Sequence, residues 1–536
     1  MRAESDALPS RSRSWTVVFW VIAIATALPL LATRYLPFTD LPEHVATMAT
    51  LARMMPGGGG APYELALGDS QYLLFDGLGA LVTRIIGDAI LANQLLLVAV
   101  ALLWPLSARS LLRSTGRDER IAIFAPMVFW NRATVVGFEP YVASVAVAMF
   151  TLAIVVRYMR EPTWRRAASV AALALIVFYT HASSYLLLAL TAAALAGALV
   201  ARDRAQRRMM AVRAATILAA LVPSALAALA WWRIGSLTEL GAPGGVDRMP
   251  IGESVFAMPI WTFDIWRSHL DEVAAAMWWL AFAVVVVASW RRSKASSADT
   301  TLGWVVWVPF ACAAAVYLTT PFRIGGAAML NVRLAPALAL FALLGLELRK
   351  DRASNVALAM AAAATLLTAG NAALQIRRVA REKVGDLDVI LAAMRPDARV
   401  VMLNFERSSP RMHFWPYVFA GSYHRVRSGG LASYSFSELP HWPVHYARGT
   451  APPAHNPLWI FHPCEYRYAE DGAFYDYVLV QGPVDPFDGR QGTLGPRFLP
   501  ITREAAFTLY EKTSPPPDAP HEADRGPCIA RPPSGP

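Results

Sequence analysis

Apolar runs of helical length, separated by short arginine clusters, recur along most of this chain. Runs of about 20 residues suit spanning helices, and basic clusters between them mark the loops held on the cytoplasmic face. Composition agrees: 55% of the residues are hydrophobic and 16% are charged, where soluble chains carry roughly a quarter charged. The formal charge of +10 therefore reads as loop topology. No nucleic-acid-binding motif accompanies it, so no nucleic-acid partner is expected.

The first run, 15–33, follows Arg2, Arg11 and Arg13. It is too long for the apolar region of a signal peptide and lacks a clear small-residue cleavage site, so it reads as a retained span leaving the cytoplasm. An outer loop follows over 34–70, containing the glycine run 57–60. No Gly-Lys-Ser/Thr follows those glycines, so they read as a hinge and not as a phosphate loop. The stretch 71–86 is apolar but short, and it carries Asp76 and Arg84. If it crossed, every later basic cluster would face outward, from Arg109–Arg120 to Arg349–Arg352. It therefore reads as an interfacial helix.

The expected architecture is a polytopic α-helical membrane protein of about eleven spans, among them 121–136, occupying residues 1–376. Its N-terminus would be cytoplasmic and its C-terminus outside, at a bacterial inner membrane. From about residue 377 hydrophobic runs shorten, and a small extracytoplasmic α/β domain is expected over 377–513. Its elements would be a helix over 384–394 and strands over 399–403, 475–480 and 506–511. The Pro-rich end, 514–536, reads as disordered. Cys312 lies in an apolar run. Cys464 and Cys528 are open to either a disulfide or two thiols, without the spacing of a zinc site.

The densest ionisable group beside a span is Thr39-Asp40-Leu41-Pro42-Glu43-His44. On a helix, positions 40, 43 and 44 share one face. One reading is a cap: Asp40 as N-cap, Pro42 in the first turn, Glu43 closing a capping box. The other is catalysis. Moving a sugar from a lipid phosphate to a hydroxyl or amine needs a base for the nucleophile's proton. A carboxylate against apolar surface has its pKa raised towards that task. Glu43 and His44 would then support Asp40, or the three would ligate a divalent metal, the one cofactor considered.

These residues resemble the GT-C superfamily of polyprenyl-phosphate-sugar-dependent glycosyltransferases, whose first outer loop carries a catalytic acid. Asp40 in Phe38-Thr39-Asp40-Leu41-Pro42-Glu43-His44 matches that position. So do Gln71-Tyr72-Leu73-Leu74-Phe75 with its helix ending at Gly87-Asp88, the outer turn Gly137-Phe138-Glu139-Pro140, and Asn331-Val332-Arg333-Leu334-Ala335-Pro336. The oligosaccharyltransferase signature WWDYG is absent.

The resemblance implies an inverting membrane glycosyltransferase with a polyprenyl-phosphate donor, membrane lipids around it and an extracytoplasmic glycan, lipid or protein acceptor. Asp40 would be the base and Arg333 a phosphate clamp, joined by Arg323 unless the latter only snorkels. Glu139 and His181, at outer turns, are further substrate-binding candidates. Trp261 and Trp266 would stack on a sugar or sit in the interfacial aromatic belt. Tyr423-His424 and His441-Trp442 are candidates for acceptor contact. The rival readings are a transporter or flippase of lipid-linked glycans, which would need a charged path across the bilayer, and a non-catalytic assembly protein.

Overall fold

The computed structural model describes residues 13–55, 62–68, 70–234, 245–295, 302–349, 351–453, 458–466, 468, 471–487 and 497–513. The glycine run 57–60, the tail 514–536 and Cys528 lie outside them, and the question of a Cys464–Cys528 bond lies there too. Among the described residues seven helices are long and apolar enough to cross a membrane: Ser14–Leu31 (α1), Ala89–Ser114, Glu139–Arg160, Ala182–Arg202, Arg207–Arg233, His269–Ser289 and Arg352–Lys383. The shorter apolar helices Gly303–Thr319 and Val332–Gly345 and the helix Trp164–Thr180 correspond to three more of the expected runs. The chain is a multi-pass membrane protein.

The run 121–136 is not one helix. It is a 3-10 turn, Glu119–Phe124, followed by two short helices, Ala125–Phe129 and Arg132–Val136. The break falls at Asn131, whose side-chain amide donates to the Val128 and Phe129 carbonyls (2.9 and 3.0 Å) and accepts from Thr134 N–H. Irregular backbone at membrane depth is tolerable only when buried in protein, and nearly every residue here is buried. The path nevertheless returns across the bundle. Helix Ala89–Ser114 (α4) and helix Glu139–Arg160 run parallel, because Asn93 meets Glu139 (3.0 Å) at one end and Ser110 meets Arg157 (2.9 Å) at the other.

At the end of the bundle where Asn93 and Glu139 meet lie two helices of 14 residues, Leu41–Met54 (α2) and Leu73–Ile86 (α3). At 1.5 Å per residue each is about 21 Å long, short of the ~30 Å hydrocarbon core. One side of α3 buries Phe75, Asp76, Gly79 and Ala80, while Leu74, Leu78, Leu81 and Ile85 stay exposed. Gly87, at φ +76, ends α3. Asp88 then starts α4 by accepting from Ile90 and Leu91 N–H.

The composition break near residue 377 falls inside a helix that continues to Lys383. Its last turn is polar because it has left the bundle, and Lys383 pairs with Glu406 at 2.7 Å. Beyond it stands the α/β domain. Helix Leu387–Ala392 precedes a five-stranded sheet in the order Leu431–Ala432, Arg399–Asn404, Tyr477–Gln481, Phe507–Thr513, Arg497–Glu504. The Arg399–Asn404 strand is parallel to both neighbours, and the remaining pairs are antiparallel. A ribbon absent from the sequence reading joins the first loop to this domain: Tyr63–Leu65 pairs antiparallel with Val444–Tyr446.

The domain is seated on α2 by a buried ion pair. Glu43 and Arg425 are both fully buried, 3.4 Å apart. Glu43 also accepts from the Ser422 hydroxyl, from Ser435 Oγ (2.9 Å) and from Phe436 N–H (2.8 Å). Arg425 reaches Ser435, Thr50 and Ser437 and lies 4.6 Å over the Tyr63 ring. Trp442 Nε1 donates to Thr47 (2.8 Å), and Tyr417 OH donates to the Tyr35 carbonyl (2.8 Å). Arg425→Ala leaves a buried carboxylate without its cation, which costs about 3–5 kcal/mol. A lowered unfolding midpoint in detergent and faster protease release of the C-terminal domain are expected; an unchanged midpoint would contradict this seating.

Candidate active site

Asp40 sits at the start of α2 in the capping position, yet its side chain caps nothing. Its own N–H donates to the Val136 carbonyl (2.8 Å) and is therefore closed to a capping box with Glu43, whose carboxylate is turned to Arg425. Among the described residues nothing hydrogen-bonds the Asp40 carboxylate, which stays partly accessible. Gly137 makes this seat. Its φ is +93, and a Cβ there would lie 2.9 Å from Leu41 N and 3.0 Å from Asp40 N.

One turn on, His44 is buried and bonded through Nδ1 to Asp76 (3.1 Å). Asp76 comes from α3, and among the described residues its second oxygen has no partner. Glu139, also buried, accepts from Asn93 with one oxygen and leaves the other without a partner among the described residues. Burial disfavours charge on His44, but the Asp76 charge and hydrogen bond, with Glu139 and Asp40 beyond, outweigh it and push the imidazole up to about 9. Burial pushes the Asp40 carboxyl up to about 7 against the pull of His44 and Arg333.

Arg333 faces this group from the start of helix Val332–Gly345. Its guanidinium lies 3.7 Å over the Phe138 ring, 3.4 Å from His181 Nε2, and bonds the Ala328 carbonyl (3.3 Å). Among the described residues it makes no salt bridge, and its Nε has no hydrogen-bond partner. His181 caps helix Ala182–Arg202 by accepting Ser183 N–H at Nδ1, which is incompatible with an imidazolium. Its ring is hemmed by Tyr72 and Tyr141. From the C-terminal domain, His441 and Trp442 pack against Tyr72, and Trp442 also against His44.

The structure thus gathers Asp40, His44, Glu139, His181 and Arg333, and adds Tyr72, Asp76, Asn93, Phe138 and Tyr141. Of these added residues Asp76 had a legible signal: a carboxylate inside an apolar run. Several expectations are corrected. Glu43 is a seating residue for the C-terminal domain, since its oxygens serve Ser422, Arg425, Ser435 and Phe436. With Glu43 turned away and His44 Nδ1 held by Asp76, the Asp40–Glu43–His44 metal set does not converge. Among the described residues no three His, Cys, Asp or Glu side chains could hold an ion.

Arg323 lies on a small sheet opposite Ala328, half-exposed, with Asp247 4.0 Å away, and among the described residues it has no hydrogen bond or ion pair to the group. Trp261 and Trp266 are buried, against Tyr317 and beside Met412, so neither presents a face to sugar or lipid. Tyr423 and His424 are buried, Tyr423 against the Tyr35 ring at the seam with the membrane part.

No family profile and no curated protein matches the sequence. Solved structures do match. ArnT from Cupriavidus metallidurans bound to undecaprenyl phosphate superposes with a TM-score of 0.52 at 12% identity, over 93% of this chain and 98% of that one. The apo state of that protein gives 0.54 at 11%, with the same coverage. The arabinofuranosyltransferase AftD from Mycobacteria gives 0.52 at 15%, over 94% of this chain and 40% of that one. The chain has the GT-C fold.

Within the GT-C fold of this chain, the uncapped Asp40 depends on Gly137 for its position. Gly137→Ala puts a side chain at positive φ, at about 1–2 kcal/mol, and against the Asp40 backbone as well. The expected outcome is a lower unfolding midpoint together with faster amide exchange confined to residues around 38–44. Exchange that is unchanged there would contradict the packing.

Proposed function

We propose that the chain is a membrane glycosyltransferase that moves a sugar from a polyprenyl-phosphate donor to a hydroxyl or amine of an extracytoplasmic acceptor, with Asp40 as general base. The observation that carries this reading is an uncapped carboxylate, Asp40, facing a guanidinium, Arg333, that makes no ion pair among the described residues. The shared fold, and the undecaprenyl phosphate bound to ArnT, support the donor class.

In this reading the acceptor's O–H or N–H proton passes to Asp40 as its lone pair bonds the anomeric carbon. The C–O bond to the phosphate breaks on the opposite face, which inverts the centre. The lipid phosphate leaves with the electron pair, held by the Arg333 N–H groups. His181, Tyr72 and Phe138 orient Arg333. His44, kept cationic by Asp76 and Glu139, holds the Asp40 pKa below where burial alone would put it. Glu139 acts on His44 and not on substrate, and Arg323, which stands apart from the group, is given no role. The site would face the outside of a bacterial inner membrane, with the N-terminus in the cytoplasm. Every fully buried ionisable residue among those described lies at this end or in the C-terminal domain, which speaks against a charged path for a transporter.

Asp40→Asn keeps the shape and removes the base, so a loss of about a hundredfold or more is expected. It is read as one sugar missing from surface glycans or glycolipids by mass spectrometry at equal protein level. An unchanged profile, where deletion of the protein changes it, would overturn the reading. The base works only when ionised, so activity is lost as pH falls through about 7. His44→Gln removes a charge that lowers the Asp40 pKa, so the rising limb should move to higher pH. A limb near pH 4 in both proteins would contradict the assignment.

A further inference from the structure

An aromatic surface of the C-terminal domain, beside the Asp40 loop, takes no part in the mechanism above. Trp415 remains 44% exposed. Its carbonyl accepts from Thr39 Oγ1 at 3.0 Å, so it is tied to the residue preceding Asp40. The Phe461 ring lies 5.6 Å from the indole at 52°. The Arg407 guanidinium covers both rings, 5.1 Å from Trp415 and 5.7 Å from Phe461. Phe419 continues the surface from Phe461, with Tyr434 stacked on it. Arg407 is half-buried and makes no ion pair among the described residues, although burial lowers its pKa and works against its charge.

An exposed indole face carries negative electrostatic potential and takes polarised C–H bonds, the kind a pyranose presents on its flatter side. A guanidinium lying over part of such a surface, with donors unspent, takes a carboxylate or phosphate in a forked pair. Tryptophans of the interfacial belt sit at the ends of spans; Trp415 is on the C-terminal domain instead. We propose that Trp415, Phe461 and Arg407 form an acceptor subsite for a saccharide bearing an anionic substituent, delivering its nucleophile to Asp40. This rests on the transferase reading for the word acceptor, but not for the binding of a glycan.

The test uses the full chain in nanodiscs on immobilised oligosaccharides in three arms: neutral, uronic-acid-containing and phosphorylated. Wild type and Asp40→Asn should be retained alike on one or both anionic arms, and which arm identifies the substituent. Trp415→Ala should lose retention by roughly tenfold or more, as removal of an aromatic anchor does. Trp415→Phe should recover most of it at an unchanged unfolding midpoint. Arg407→Gln should erase the preference for anionic over neutral glycans.

Wild-type retention on none of the arms would overturn the proposal. So would equal retention by Trp415→Ala, or an effect of that change on anionic vesicles alone. If Asp40→Asn leaves the cellular glycans intact while Trp415-dependent retention persists, the transfer reading fails and the saccharide site stands. If Asp40→Asn removes a sugar while Trp415→Ala keeps both product and retention, only the subsite fails.

Discussion

The arrangement depends on one buried ion pair. Glu43 and Arg425 meet with neither exposed to solvent, and each is hydrogen-bonded to further groups. Such a pair adds little net stability over an apolar contact, yet breaking it strands a buried charge, so it selects one arrangement against others. Here it selects the docking of a soluble domain onto α2. The Trp442–Thr47, Tyr417–Tyr35 and Thr39–Trp415 bonds and the 63–65 ribbon follow the same seam. Asp40, at the head of α2, is thereby held between Gly137 below and the C-terminal domain beside it.

The second level is electrostatic. Asp40, Asp76 and Glu139 surround one imidazole, and a lone guanidinium faces them. Burial would neutralise the Asp40 carboxylate in isolation. His44, charged by its bond to Asp76, holds Asp40 near neutrality, where a base is most effective. Arg333 stands beside this group and makes no salt bridge among the described residues. His181 and Phe138 set its direction and add no charge.

Much of the fold was legible because spanning helices and basic loops follow one-dimensional rules, and the strands near 399 and 477 are continuous apolar runs. Residues 121–136 misled because hydropathy registers burial and not regularity: Asn131 breaks the helix inside the protein, where its side chain satisfies the freed carbonyls. The helical register put positions 40, 43 and 44 on one face. It could not show that Glu43 turns to a serine 379 positions later in the chain. For the same reason the tryptophans of the long loop read as surface residues, whereas Trp266 meets Met412 of the C-terminal domain. Contacts across such separations leave no local pattern, and the site's aromatic walls are made of them.

In the proposed transferase reading Arg333 receives a lipid phosphate opposite Asp40. Photo-crosslinking of the nanodisc-embedded chain with a diazirine-bearing polyprenyl phosphate, followed by peptide mapping, tests it most directly. Labelling should fall on peptides around 137–145, 179–185 and 325–334, be displaced by undecaprenyl phosphate, survive Asp40→Asn and vanish with Arg333→Gln. Labelling elsewhere, or indifferent to Arg333, would contradict the account.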